Sequence, residues 1–356
     1  MSLKLYEEWL IAEGGWATTK TQGTVIKPMI IADSVKKLQV IGSDFAKHCE
    51  SIKLPPLDFS KPIGSGTWYE EDIESQPDKV YGDVDFMISY PVLELTGKDR
   101  RSDEIATVKL YNKELLNFLD KQNYAFLDMK ETKSVSADTG LKLIMAVETP
   151  EGEGWIQVDM VVTHTEYKEW AIFRMTPIRN VKGFVLGNLY SSFGEVLEIS
   201  IQPRGIRAKF AGTEMVAYSK RAGAEDRMLT SNINTFMNDI AKFFWEQSGT
   251  DKPYEPSASL SSWKGINANS PTFEDLCDGI RAVAETLEKL GEFGTVIKYR
   301  NAKDLLEAVK ARYIEKMETA ASSSKFDKAD TPAAKAAADK VSAFVIEYTD
   351  KIKNLL

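Results

Sequence analysis

Cysteine and histidine are scarce in this chain: its 356 residues include two of each, Cys49 and Cys277, His48 and His164. Two distant thiols argue against a disulfide framework. Each falls inside an apolar helical pattern, where a buried thiol is the expectation. With no Cys/His cluster, a structural zinc site is excluded. Long hydrophobic runs are also missing. No stretch approaches the ~20 continuous apolar residues of a membrane span. The start Met1-Ser2-Leu3-Lys4-Leu5 lacks an apolar signal core, so the expected compartment is the cytoplasm, with no membrane partner. Positive charge is in deficit, with a net charge of -8, which argues against a surface that grips nucleic acid everywhere but leaves room for a local basic groove. The rest is ordinary for a soluble globular chain, 43% apolar and 28% charged, and long enough for two or three domains.

What is present centres on Ile63-Gly64-Ser65-Gly66-Thr67, followed nineteen residues after Gly64 by Asp83-Val84-Asp85-Phe86. On a strand, positions 83 and 85 share one face while Val84, Phe86 and Ile88 take the other, toward the core. Two carboxylates held together repel unless a cation lies between them, and a hard ion such as magnesium takes one or two carboxylates plus substrate phosphates. Trp155 to Val162 reads as a second strand, with Asp159 on the face opposite Val158 and Met160. If the two strands are neighbours, Asp83, Asp85 and Asp159 could hold two metal ions about 3.5 to 4 Å apart, the spacing of in-line phosphoryl transfer. Gly64 and Ser65 would add a bare turn and a hydroxyl that can approach a triphosphate. Alone, an Asp-x-Asp usually marks two solvated carboxylates and a Gly-Ser pair means less still; the third Asp, in the right order, reverses that balance. The similar Val40-Ile41-Gly42-Ser43 falls in a helical pattern and lies too far from Asp83 to serve.

In this order, Ile63-Gly64-Ser65, Asp83-Val84-Asp85-Phe86 and Val158-Asp159-Met160, the chain resembles the nucleotidyltransferase superfamily typified by DNA polymerase beta, CCA-adding enzymes and poly(A) polymerases. The resemblance covers roughly residues 30 to 165. Its spacer between Gly-Ser and the first Asp is longer than the family's pattern, and residues 69–79 read as a loop over the site. The resemblance implies a magnesium-dependent transfer of a nucleoside monophosphate from an NTP to an acceptor hydroxyl. Asp83, Asp85 and Asp159 would be the metal ligands and catalytic residues, and Gly64, Ser65 and Thr67 the nucleotide contacts. Base and triphosphate contacts in this family often come from the domain that follows, which makes Arg179 and Lys182 candidates, against the plainer reading of ordinary surface cations. An RNA 3′ end is the first acceptor to consider; a protein or small-molecule hydroxyl and a non-catalytic nucleotide-binding scaffold are the alternatives.

The expected fold class is α+β, a nucleotidyltransferase-type mixed sheet with helices followed by a mainly α-helical C-terminal region. Val35, Leu38, Ile41, Phe45 and Cys49 predict a helix from about 32 to 51, and Leu110 to Leu119 a second one ending near Gln122. Leu141 to Val147 and Trp155 to Val162 predict a hairpin around Pro150 and Gly152. Three parts follow: a catalytic domain with an N-terminal helical arm over 1–165, a middle α+β subdomain over 166–228, and a helical domain over 229–356. The middle part carries Arg204, Arg207, Lys209, Lys220, Arg221 and Arg227, the first place to look for RNA contact, although a charge-mixed solvated face is the plainer reading. Apolar stripes predict helices at 233–244, 273–290, 301–321 and 332–356, with a Ser, Pro and Asn-rich linker over 249–271.

Overall fold

Val35, Leu38, Ile41, Phe45 and Cys49 recur every three or four positions, and the computed structural model folds them into a helix, α1 (Ile31–Ser51), that buries all five. The described residues are 29–57, 80–81, 83–122, 125–126, 141–149, 152–175, 183–202, 204–218, 223–263, 272–291, 298–299, 301–321 and 332–356. Across 80–86, 125–126, 141–149 and 152–161 that description is of the backbone. The N-terminal arm at 5–10 lies outside the described residues. Gly42 and Ser43 are helical, as their apolar spacing predicts.

The chain has an α+β fold and divides into two compact units, Met1–Lys168 and Glu169–Leu356. In the first, β1 (Met29–Ile30) and β2 (Val80–Tyr81) form a short antiparallel ladder. The main sheet has the order β3 (Asp83–Tyr90), β6 (Gly152–His164), β5 (Leu141–Thr149), β4 (Ala125–Phe126). The β3–β6 pair is parallel and the other two are antiparallel, so the sheet is mixed and the hairpin expected from Leu141 to Val162 is present. A parallel neighbour needs a long crossover, and here it contains α2 (Arg100–Lys121) as well as β4 and β5. Asp99 caps that helix by accepting a hydrogen bond from the Ser102 amide at 2.9 Å. Val108, Tyr111, Leu115, Phe118 and Leu119 form its buried face, and Phe118 meets Phe45 of α1 at a ring distance of 5.4 Å. Burying each such side chain contributes about 1.5 to 3 kcal/mol.

Met87, Ile88, Ser89 and Tyr90 are all buried, so the second half of β3 is covered on both faces, Ile88 being buried as expected.

The second unit holds α3 (Lys168–Met175, its first residue shared with the break), α4 (Gly183–Val196) and a small antiparallel sheet. That sheet orders β10 (Glu225–Thr230), β8 (Gly205–Ala211) and β7 (Ser200–Gln202), with β9 (Glu214–Val216) on β8. Helices α5 (Phe236–Gln247), α6 (Ala258–Ser262), α7 (Phe273–Glu288), α8 (Ala302–Ala321) and α9 (Pro332–Leu355) complete it. Trp170, Phe193, Ile206, Phe236, Phe273, Tyr313 and Tyr348 belong to one apolar cluster. That cluster takes residues from both sides of position 228, so the boundary drawn there marks no break in the core. The segment 249–271 is also more than a linker: Ser257 caps α6, its amide donates to Thr286 Oγ1 at 2.9 Å, and its hydroxyl donates to the Ala282 carbonyl at 3.2 Å. No helix among the described residues is long and apolar enough to cross a membrane.

Candidate active site

Strand pairing decides whether the three aspartates belong together. Along the parallel β3–β6 ladder, Asp83 is opposite Gln157, Val84 opposite Val158, and Asp85 opposite Asp159. Residues directly opposite in a ladder share a face, and side chains alternate with period two. Positions 83, 85 and 159 therefore occupy one face of the sheet, on adjoining strands. The other face carries the apolar pairs Val84 with Val158, Phe86 with Met160 and Ile88 with Val162. Three carboxylates on one face make an all-oxygen donor set, which fits a hard divalent cation such as magnesium. Among the described side chains no group of three His, Cys, Asp or Glu could hold a metal, but Asp83, Asp85 and Asp159 are placed through their backbone and fall outside that set.

Helix α2 fixes the ends of both acidic strands. Tyr90, the last residue of β3, donates its hydroxyl to Asn112 Oδ1 at 2.9 Å and stacks on Tyr111 with ring centroids 4.5 Å apart. Burial pushes the Tyr90 phenol well up, so it remains a donor. Tyr111 in turn donates to the Pro55 carbonyl at 2.6 Å. Beyond β6, Tyr167 donates to Glu104 Oε1 at 3.2 Å. Glu104 is fully buried, with Arg101 at 3.2 Å and Arg100 at 3.9 Å, while Arg100 also pairs with Glu166. His164 closes β6 beside this cluster, and burial holds its ring below the usual imidazole range, against the opposing pull of Glu104. The two clamps hold the strand ends that keep Asp85 opposite Asp159.

Sequence reasoning did not find this cluster, although a signal for it exists. Arg100, Arg101 and Glu104 stand three and four apart, the spacing at which helical side chains meet. The same reasoning passed over Ser89 and Thr163. They are paired in the ladder on the face that carries the aspartates, and their buried hydroxyls have no hydrogen-bond partner among the described residues.

Gly64, Ser65 and Thr67, the 69–79 spacer, Arg179 and Lys182 lie outside the described residues. So do Lys220 and Arg221 of the basic segment. Its described cations all have intramolecular partners. Arg207 is buried with Asp226 3.7 Å away, Arg204 donates to the Tyr218 hydroxyl at 3.4 Å, Lys209 lies 4.6 Å from the Tyr218 ring, and Arg227 pairs with Glu225 at 2.5 Å.

The second unit has a cleft of about 860 Å³, lined in part by Glu195, Glu198, Tyr218, Lys298, Tyr299 and Arg312. Its charges are mutually paired: Arg312 reaches Glu195 at 2.6 Å and Glu315 at 2.5 Å, and Lys298 pairs with Glu198.

No protein-family model matches the chain, and no curated protein sequence does. Among solved structures, it is similar to Leishmania infantum polymerase beta in a ternary P/T complex, at 14% identity and a TM-score of 0.34, covering 57% of this chain and 68% of that one. It is also similar to a ternary gap complex of the same organism's polymerase beta, at 14% identity and a TM-score of 0.33, covering 78% of this chain and 70% of that one. At such scores the functional reading has to stand on the strand register itself.

Proposed function

We propose that the chain is a divalent-metal-dependent nucleotidyltransferase that moves a nucleoside monophosphate from an NTP to an acceptor hydroxyl and releases pyrophosphate. The observation that carries this reading is the ladder pairing of Asp85 with Asp159, with Asp83 two residues before Asp85 on the same face.

In this reading Asp83, Asp85 and Asp159 would together hold the divalent metal that accompanies the triphosphate. The metal would supply charge neutralisation at the transferred phosphoryl group and a lowered pKa for the attacking hydroxyl. Asp159 would serve the acceptor side, either through the metal it helps to hold or as the base that takes the hydroxyl's proton. Gly64, Ser65 and Thr67 orient the phosphates so that nucleophile and leaving group are in line, and Arg179 and Lys182 add phosphate contacts. An RNA 3′ end is the acceptor the family resemblance favours.

Incubating the full chain with magnesium, each labelled NTP in turn, and total RNA or cell lysate tests the reading. Wild-type protein is expected to transfer label, and Asp85→Asn and Asp159→Asn to fall to background with unchanged circular dichroism. Transfer retained by both variants would sink the assignment. Label in RNA identifies a nucleic-acid acceptor, and label in protein a protein hydroxyl.

A further inference from the structure

We propose that Lys142 is the counter-charge of the carboxylate face, a positioning residue that offsets Asp159 while no metal is bound and gives way when a divalent cation arrives. This rests on the metal-site reading above. The observation is a row of three residues across three neighbouring strands: Asp85 on β3 is opposite Asp159 on β6, and Asp159 is opposite Lys142 on β5. Residues directly opposite in a ladder share a face, with Cβ atoms about 4.5 to 5.5 Å apart, a separation at which like charges destabilise the sheet and opposite charges stabilise it.

The rest of that face gives the lysine its meaning. β3 contributes Asp83, Asp85, Met87 and Ser89, β6 contributes Glu153, Trp155, Gln157, Asp159, Val161 and Thr163, and β5 contributes Lys142, Ile144, Ala146 and Glu148. Among these described positions Lys142 is the single cation. Lysine is also depleted in strands, and this one interrupts the apolar run Leu141 to Val147. A cation on the same face as three carboxylates, and paired in the ladder with one of them, would have two opposed effects. Without metal it relieves their mutual repulsion and steadies the strand pairing. Once a doubly charged ion occupies the same face, it repels that ion and keeps the affinity low enough for the ion to exchange with its nucleotide. Even at a dielectric near that of bulk water, one unit charge about 6 Å from a dication would change its affinity on the order of tenfold.

Manganese binding to the full-length chain, measured by calorimetry without nucleotide, provides the test. Lys142→Met is expected to bind Mn²⁺ about tenfold tighter than wild type and, in the absence of metal, to melt at a lower temperature; Lys142→Arg is expected to restore both values. Should Lys142→Met not fold, Lys142→Gln is measured in its place with the same expectation. In the Asp159→Asn background the lysine substitution is expected to cause no further loss of melting temperature, because the charge it offsets is gone. Mn²⁺ affinity unchanged within about twofold, or losses at 142 and 159 that simply add, would overturn the proposal. Failure of the metal-site reading looks different: Asp85→Asn would leave Mn²⁺ binding as it is in the wild type, while the 142/159 coupling would still register.

Discussion

Glu104 is where the register of the candidate site can be attacked from a distance. Its carboxylate is fully buried, accepts from Tyr167 at 3.2 Å, and has Arg101 at 3.2 Å and Arg100 at 3.9 Å. Removing one partner of a buried ion pair costs about 3 to 5 kcal/mol when the other charge is stranded. Here the arginine side chains are 22% and 55% exposed, so both can turn to water and that figure must be discounted. What remains for Glu104→Ala is the loss of the hydrogen bond from Tyr167 to a charged acceptor, at about 1.5 to 3 kcal/mol, and the void left by the side chain. The expected loss is about 3 kcal/mol. For a unit of this size that is roughly 6 to 12 °C in melting temperature. Glu104→Gln keeps an acceptor for Tyr167 and gives up the charge-assisted part, so about 1 to 2 kcal/mol is expected. Scanning calorimetry reads both, and hydrogen exchange at residues 161–164 reports whether the end of β6 loosens with them. A Glu104→Ala cost below about 0.5 kcal/mol, the scale of a surface substitution, would refute the argument that this cluster clamps β6.

Two further predictions concern single positions. The folded chain keeps His164 neutral below the usual imidazole pKa of 6.5, mainly through burial, whereas the unfolded chain takes up a proton there. Because the unfolded state then binds more protons, stability should fall as the pH drops through about 6.5 toward the folded value; urea titrations across that range should show a slope that His164→Gln removes, and an unchanged slope would count against the assignment. Gly205 has φ +105°, and a Cβ there would stand 2.5 Å from Met228 Sδ and 3.1 Å from the Thr230 carbonyl oxygen. Gly205→Ala should therefore destabilise the second unit by about 1 to 3 kcal/mol, and a denaturation midpoint equal to that of wild type would contradict the strain.

The legible part of this chain is its local part. Val35, Leu38, Ile41, Phe45 and Cys49 announce α1 because helical spacing is written in neighbouring residues. The hairpin of β5 and β6 is equally local, with both strands beside one turn. The burial of Ser89 and Thr163 was not legible, since it depends on what covers a sheet face far along the chain. The shared core across position 228 was hidden for the same reason: Trp170 and Phe236 meet at 5.2 Å although 66 residues apart, and no periodicity encodes that meeting.

The aspartates fall between these cases. Alternation along β3 is enough to place 83 and 85 on one face, but it says nothing about Asp159, which lies 74 residues beyond Asp85. Only the ladder supplies that link, and a slip of one residue would move Asp159 to the opposite face. The same slip would carry Val158 and Met160 off the face they share with Val84 and Phe86, so the apolar pairs oppose it. Specification of the carboxylate face therefore comes largely from the residues on its back. The tyrosine clamps to α2 then fix the strands end-on, through Tyr90 on Asn112 and Tyr167 on Glu104. The register that brings the three aspartates onto one face is thus held against slippage by apolar positions on the other face and by two phenol hydroxyls near the strand ends.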